Sequence, residues 1–211
     1  MSVKVKIGLI IGAVLAIVAF FFTIVSGISE LYASPADPDR AMTGEVIEYR
    51  VLYAKEIVEI KHMLFGVIPT YSERFYITTN EDGVNSLAVR ADEKWFEDNF
   101  TPDGLAIAPV QISALIKSAG SKRGLNLVSV NEKLGDSVRV DTGQYADAEY
   151  VSEATLKIVS GILLITAVIT FILLLILVLK GVLAKGGAGA NAMAIAAIIQ
   201  LAAFIIILLA I

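Results

Sequence analysis

The stretch IGLIIGAVLAIVAFFFTIVSGI, residues 7–28, carries no charged side chain, and its reading decides the class of fold. About 20 apolar residues at ~1.5 Å rise each cross the ~30 Å hydrocarbon core of a bilayer. Lipid offers the backbone no hydrogen-bond partners, so the run is helical even where Ile and Val are frequent. Residues 158–179 repeat this pattern. So do residues 190–211, although Asn191 and Gln200 interrupt the last run. The rival reading of residues 1–33 is a cleaved signal peptide cut near Ala33. It asks for an apolar core of about 7–15 residues and for a small residue where Leu31 stands. An uncleaved anchor fits better.

Outward from these runs the charges segregate. All 21 acidic residues lie between Glu30 and Glu153, and the only charged side chains outside residues 29–157 are Lys4, Lys6, Lys180 and Lys185. Short Lys/Arg-bearing segments stay in the cytoplasm, whereas a long domain is translocated largely regardless of its charge. The pattern predicts a multi-pass protein of the cell membrane. Residues 1–6 and the loop 180–189 are expected to be cytoplasmic, residues 29–157 extracytoplasmic, and the carboxyl end outside.

The exported segment holds those 21 acidic residues against 13 basic ones, a net charge of −8. Such a surface repels phosphate backbones, so nucleic acid is not an expected partner. Absence of cysteine excludes disulfides, thiol catalysis, iron–sulfur clusters and cysteine zinc sites. A single histidine, His62, excludes a multi-histidine metal centre within one chain. P-loop, dinucleotide and nucleophile-elbow signatures are absent as well, and no cofactor is expected.

Within the exported segment, residues 29–43 read as a linker broken by Pro35 and Pro38. Residues 44–146 predict a small, mostly antiparallel α+β domain, inserted between one amino-terminal and two carboxyl-terminal transmembrane helices. Period-two patterning places a strand at 45–53 (Ile47, Tyr49, Val51 and Tyr53 on one face), with Glu56 to Ile60 either a second strand or its continuation past a bulge. Residues 71–79 and 84–91 form a hairpin about Asn80–Gly83. Asp92 caps a short helix that buries Trp95, Phe96 and Phe100. A second helix is expected at 109–119 from the spacing of Ile112, Leu115, Ile116 and Ala119. Strands at 125–130 and 136–140 close the domain, and residues 147–157 make a helical stalk into the second span.

Several residues invite functional readings. Gly8, Gly12 and Ala16 are spaced four apart on one helix face, as are Ala192, Ala196 and Gln200, and both sets predict close helix packing within or between chains. Gln200 needs a polar partner, with Thr166 or Thr170 the candidates. Ser113 and Lys117, four apart on the expected second helix, make a candidate Ser–Lys dyad. A lysine near a helix end is explained equally by the helix dipole. The NEDG turn at 80–83 lacks the ligand series of a calcium loop. Met63, Leu64, Phe65, Val67 and Ile68 form an apolar run without a period, either a buried strand or a hairpin tip that dips into the bilayer or meets a partner. No Asp, Glu, Lys, Arg or His falls inside a span, which disfavours a proton or ion pathway carried by one chain.

Together these features predict a non-catalytic multi-pass membrane protein. Its outer domain binds a protein partner, as an accessory or structural subunit of a membrane assembly or through self-association. Two alternatives follow from the same residues: an envelope hydrolase using carboxylates or the Ser–Lys pair, and a ligand sensor.

Overall fold

The computed structural model describes residues 3–64, 68–79, 86–120, 127–128, 141, 143–179 and 187–210. In chain order its named elements are α1 (Val3–Leu31), β1 (Pro35–Ala36), β2 (Val46–Leu64), β3 (Ile68–Thr79), β4 (Ser86–Arg90), α2 (Glu93–Asn99), β5 (Leu105–Ser118), β6 (Gln144–Asp147), α3 (Tyr150–Leu179) and α4 (Ala188–Ala210). The fold is mixed α+β, with all six strands in one sheet. Among the described residues three helices are long and apolar enough to cross a membrane: α1, α3 and α4. Two compact units result, Met1–Ser29 with Ser152–Ile211, and Glu30–Val151. We refer to them as the helical unit and the barrel unit.

The expected spans 7–28 and 158–179 fall within α1 and α3, and residues 190–210 of the third fall within α4, Ile211 lying outside the described residues. Most of the expected stalk is simply the first turns of α3, while Asp147 ends a strand. In the helical unit, α1 meets α3 through reciprocal glycines. A Cβ on Gly27 would lie 2.7 Å from the Ala154 carbonyl oxygen and 2.8 Å from Ile158 Cγ1. One on Gly161 would lie 2.6 Å from Ile24 Cγ1 and 2.8 Å from Thr23 Oγ1. Missing side chains let the two backbones approach, which is how helices gain packing where lipid removes the hydrophobic drive between them. Between α3 and α4, the Thr170 hydroxyl lies 2.8 Å from Thr166 O and 3.4 Å from Gln200 Oε1, so its proton is shared between them.

The barrel unit is organised by β2. Its first half, Val46 to Tyr53, is antiparallel to β5, and its second half, Tyr53 to Leu64, is antiparallel to β3. β3 continues to β4, β4 runs parallel to β6, and β6 is antiparallel to β5. Pairing therefore returns to β2 after five strands, as in a small Greek-key barrel. Register shifts between Val51 and Tyr53 and between Glu56 and Val58 give the 19-residue strand the bends that this double pairing requires. Gly104 sits at the first bend with φ 87°, its carbonyl accepting from Ala54 N at 2.9 Å. Any Cβ there would run into the Ala54 backbone.

Alternation sorts the walls. Ile47, Val51, Tyr76, Val89, Ile112, Ala114, Ile116 and Ala146 fill the interior together. Phe75, Ile77, Ala88 and Tyr145 face outward and join Ile60, Ala119 and Leu127 in a second cluster. α2 carries Trp95 and Phe96 against the interior cluster, and Asp92 Oδ1 accepts from Trp95 N as the expected cap.

Two expectations change. Residues 109–119 are not a helix, because Leu105–Ser118 is strand β5. Leu115 and Ile116 are both buried, one on each face of a strand covered on both sides, and that erases the alternation that would have revealed it. Of the strand expected at 125–130, the described residues Leu127 and Val128 are helical, while 136–140 lies outside the described residues. Other expectations hold: Glu56 to Ile60 continues β2 past a bulge, and the hairpin strands expected at 71–79 and 84–91 correspond to β3 and β4, joined in register from Phe75↔Arg90 to Thr79↔Ser86.

Inside the barrel, the Tyr49 hydroxyl is 2.9 Å from Thr78 Oγ1, which donates its own proton to Leu87 O at 3.3 Å. Tyr49 is therefore the donor. Burial pushes its phenol far above the ordinary value, against the smaller lowering by Thr78. The unfolded chain loses this proton near pH 10, whereas the folded chain keeps it. Stability is thus fully present below about pH 10 and falls above it. In urea unfolding of the full chain in detergent, followed by the fluorescence of Trp95, Tyr49→Phe should show a shallower alkaline loss than wild type. For the helical unit, Gly161→Leu should cost about 1–3 kcal/mol in thermal unfolding of the helical circular-dichroism signal. Gly12→Leu should leave that signal unchanged, because a Cβ at Gly12 meets nothing within 4 Å.

Candidate functional site

Two charged assemblies stand out in the barrel unit. The first grows from the outward parity of four strands. Glu73 of β3, Arg90 of β4, Asp147 of β6 and Lys117 of β5 all project from the face that carries Phe75, Ala88 and Tyr145. Parallel register sets Arg90 directly opposite Asp147, and Lys117, paired with Tyr145, reaches the residue two further on.

Arg90 Nη1 lies 3.5 Å from Asp147 Oδ2 and 3.8 Å from Glu73 Oε1, and Nη2 donates to Glu149 Oε2 at 2.9 Å. Lys117 Nζ is 2.6 Å from the same Asp147 oxygen. His62 Nε2 is 3.2 Å from Glu73 Oε2, with its ring stacked on Tyr71 at 4.2 Å. The Glu73 and Asp147 side chains are 1% and 0% exposed. Charges held this far from water persist only when paired. Arg90 ties three separated segments of chain, and so holds the register by which β6 completes the barrel.

The second assembly is a groove of about 380 Å3 between α2 and the β2–β3 pair, lined by Glu56, Arg74, Tyr76, Glu93, Phe96, Glu97, Phe100 and Pro102. Arg74 shares the inward parity of Tyr76 and Thr78, so it opens at the mouth of the barrel, where α2 packs. Its guanidinium is 2.8 Å from Glu93 Oε1, 3.6 Å from Glu56 Oε2 and 4.0 Å from Glu59 Oε1. The Glu93 hydrogen bond is the main cause of a raised Arg74 pKa. Hydrogen bonding from Ser72, helped by Lys61 and Arg74, lowers that of Glu59. Tyr76 stacks on Phe96 with ring centroids 5.1 Å apart, and Phe96 on Phe100 at 5.6 Å. Burial, with the Glu56 carboxylate nearby, raises the Tyr76 phenol, and the Arg74 guanidinium beside it opposes that rise.

The residues singled out from sequence are distributed differently. Ser113 and Lys117 lie four apart along a strand, a span of about 13 Å at ~3.3 Å per residue, so they cannot form a dyad. Ser113 Oγ instead lies 3.4 Å from the Tyr150 hydroxyl, and Lys117 is committed to Asp147.

The Gly8–Gly12–Ala16 face belongs to α1, and at Gly12 it borders an apolar cavity of about 470 Å3 lined also by Phe171, Leu175, Ala194, Ala197 and Leu201. Within one chain Ala192 and Ala196 are exposed, while Ala190 and Ala197 are the buried alanines of α4. Met63 is 46% exposed at the end of β2. Leu64 and Ile68 are register partners, and Phe65 and Val67 lie outside the described residues. Among the described residues no group of three or more His, Asp or Glu is arranged to hold a metal ion. No protein-family model, curated protein or solved structure matches this chain.

Neither Arg90 nor Arg74 was legible as a site residue. The available signal was charge at an apolar parity: Glu73 ahead of Phe75 and Ile77, and Arg90 after Ala88. Removing one partner of a buried pair strands the others, at a cost of about 3–5 kcal/mol. Arg90→Met should destabilise the barrel by that amount in urea unfolding read by Trp95 fluorescence, whereas Arg50→Met at an exposed position should change it by less than about 1 kcal/mol, the usual scale for a surface charge. A small effect at Arg90 would show that the network does not hold the barrel.

Proposed function

We propose that this chain is a non-catalytic membrane protein whose barrel lies outside the cell and binds a protein partner, as an accessory or structural subunit of a membrane assembly. One observation carries the reading. The barrel interior is filled by its own side chains, from Ile47 and Val51 to Ile112 and Ala146, so any recognition takes place on its exterior and at its mouth. Small barrels of this kind host many unrelated activities, and function is argued from the site, not from the architecture.

The buried network supports a structural role for the strongest charges, since Arg90 and Lys117 are held by carboxylates from neighbouring strands. The hydrolase alternative loses its Ser–Lys pair to the strand geometry of β5. Export of the barrel rests on the lysines: Lys4 and Lys6 precede the first span, and Lys180 and Lys185 lie between the second and third. Lipid is then the first partner of α1, α3 and α4, and the −8 charge of the intervening segment keeps the barrel away from anionic lipid surfaces.

The chain has no cysteine, which makes topology directly readable. A cysteine replacing Glu97 should react with a membrane-impermeant maleimide in intact cells, and one replacing Lys185 only after permeabilisation. The opposite labelling pattern would overturn the orientation and the exported partner with it.

A further inference from the structure

We propose that the apolar groove of the helical unit holds one acyl chain of an anionic phospholipid, whose phosphate meets Lys4 and Lys6 at the start of α1. The inference is independent of the partner-binding reading and of which side of the membrane those lysines face. The groove, about 470 Å3, is walled by all three long helices, with Gly12 from α1, Phe171 and Leu175 from α3, and Ala194 and Leu201 from α4. None of its lining residues carries a polar side chain. A Cβ on Gly12 would meet nothing within 4 Å, so α1 leaves a gap there that its neighbours do not fill.

Depth decides the occupant. Gly27 lies against Ala154 and Gly161 against Ile24, so α1 and α3 are antiparallel and the start of α1 shares an end with the close of α3. The Thr170–Gln200 contact, across a connection of only residues 180–187, brings the start of α4 to that end too. Every lining residue falls four to thirteen residues from these ends. That is about 6–20 Å at ~1.5 Å per residue. The groove therefore spans one leaflet of the ~30 Å core, the reach of an acyl chain and not of a transmembrane helix from a second copy. Charge supplies a separate observation. Lys4 and Lys6 stand in the first turns of α1, and Lys180 and Lys185 fall between α3 and α4 in the sequence. These are the only charged side chains outside residues 29–157, and chain connectivity puts all four at the end where the groove lies. Basic groups beside a cleft between transmembrane helices recruit anionic headgroups, and a neutral lipid would gain nothing from them.

The test uses the full chain in phosphatidylcholine vesicles, with its single tryptophan removed by Trp95→Phe. Phe171→Trp then reports from the groove, and Ile195→Trp reports from an exposed position at similar depth outside its lining. Brominated lipids quench tryptophan on contact. Brominated phosphatidylglycerol should quench Phe171→Trp at about tenfold lower mole fraction than brominated phosphatidylcholine, the scale of one to two lysines near a phosphate. At Ile195→Trp the two lipids should quench alike. Lys4→Gln with Lys6→Gln should bring the ratio at the groove close to one, and an unchanged ratio would overturn the headgroup contact.

Gly12→Leu should abolish the preference by filling the groove while circular dichroism reports intact helices, and Ala194→Leu repeats that test from α4. Equal quenching by both lipids at Phe171→Trp sinks the anionic site. Protection of that tryptophan from both lipids, with Ile195→Trp still quenched, gives the groove to a second copy and sinks the lipid. Either failure leaves the partner-binding reading of the barrel standing.

Discussion

The barrel unit depends on one strand serving two neighbours. β2 gives its first half to β5 and its second half to β3, and without that division the sheet would end in two open edges. Open edges expose unpaired backbone groups and invite pairing with other chains; closure removes them. The bends are local and identifiable: register shifts after Val51 and after Glu56, and Gly104 pressed against Ala54 where no Cβ fits. The other four strands fall into place around that circuit. β6, only four residues long, is held between β4 and β5 by hydrogen bonds on both sides and by Asp147, which faces both Arg90 and Lys117.

Closure also explains why charge accumulates in two places. Interior volume in a five-stranded barrel is small and is consumed by Ile47, Val51, Tyr76, Val89 and their neighbours. Ionic groups are displaced to the outer face, where Glu73, Arg90 and Asp147 neutralise one another out of water, and to the mouth, where Arg74 sits among carboxylates. The two sets differ in their physics. Paired, buried charges fix register and are costly to disturb. Charges at an open mouth are screened by water and salt, and each pair there contributes little.

The helical unit follows another rule. Lipid tails are as apolar as the side chains they surround, so helices associate through close backbone approach and sparse hydrogen bonds. Gly27 and Gly161 supply the first between α1 and α3, and Thr170 with Gln200 the second between α3 and α4. Spacing of small residues identified Gly12 and Ala16 as readily as it would have identified any such face. It could not distinguish the face that meets a neighbour in the same chain, because that depends on how α1 is rotated against α3.

Sequence alone determined the three long apolar helices, the intervening α+β domain, the strand from Ile47 onward, the hairpin of β3 and β4, and the Asp92-capped helix. Each is a matter of local period, capping or length, which act within a few residues of chain. Tertiary structure alone decided that 105–118 is a strand, that the sheet closes on itself, and that Glu73, Arg90, Lys117 and Asp147 meet. A strand buried on both faces loses its alternation. Pairing between residues as far apart as Arg90 and Asp147 is fixed by register across the sheet, which no local pattern encodes.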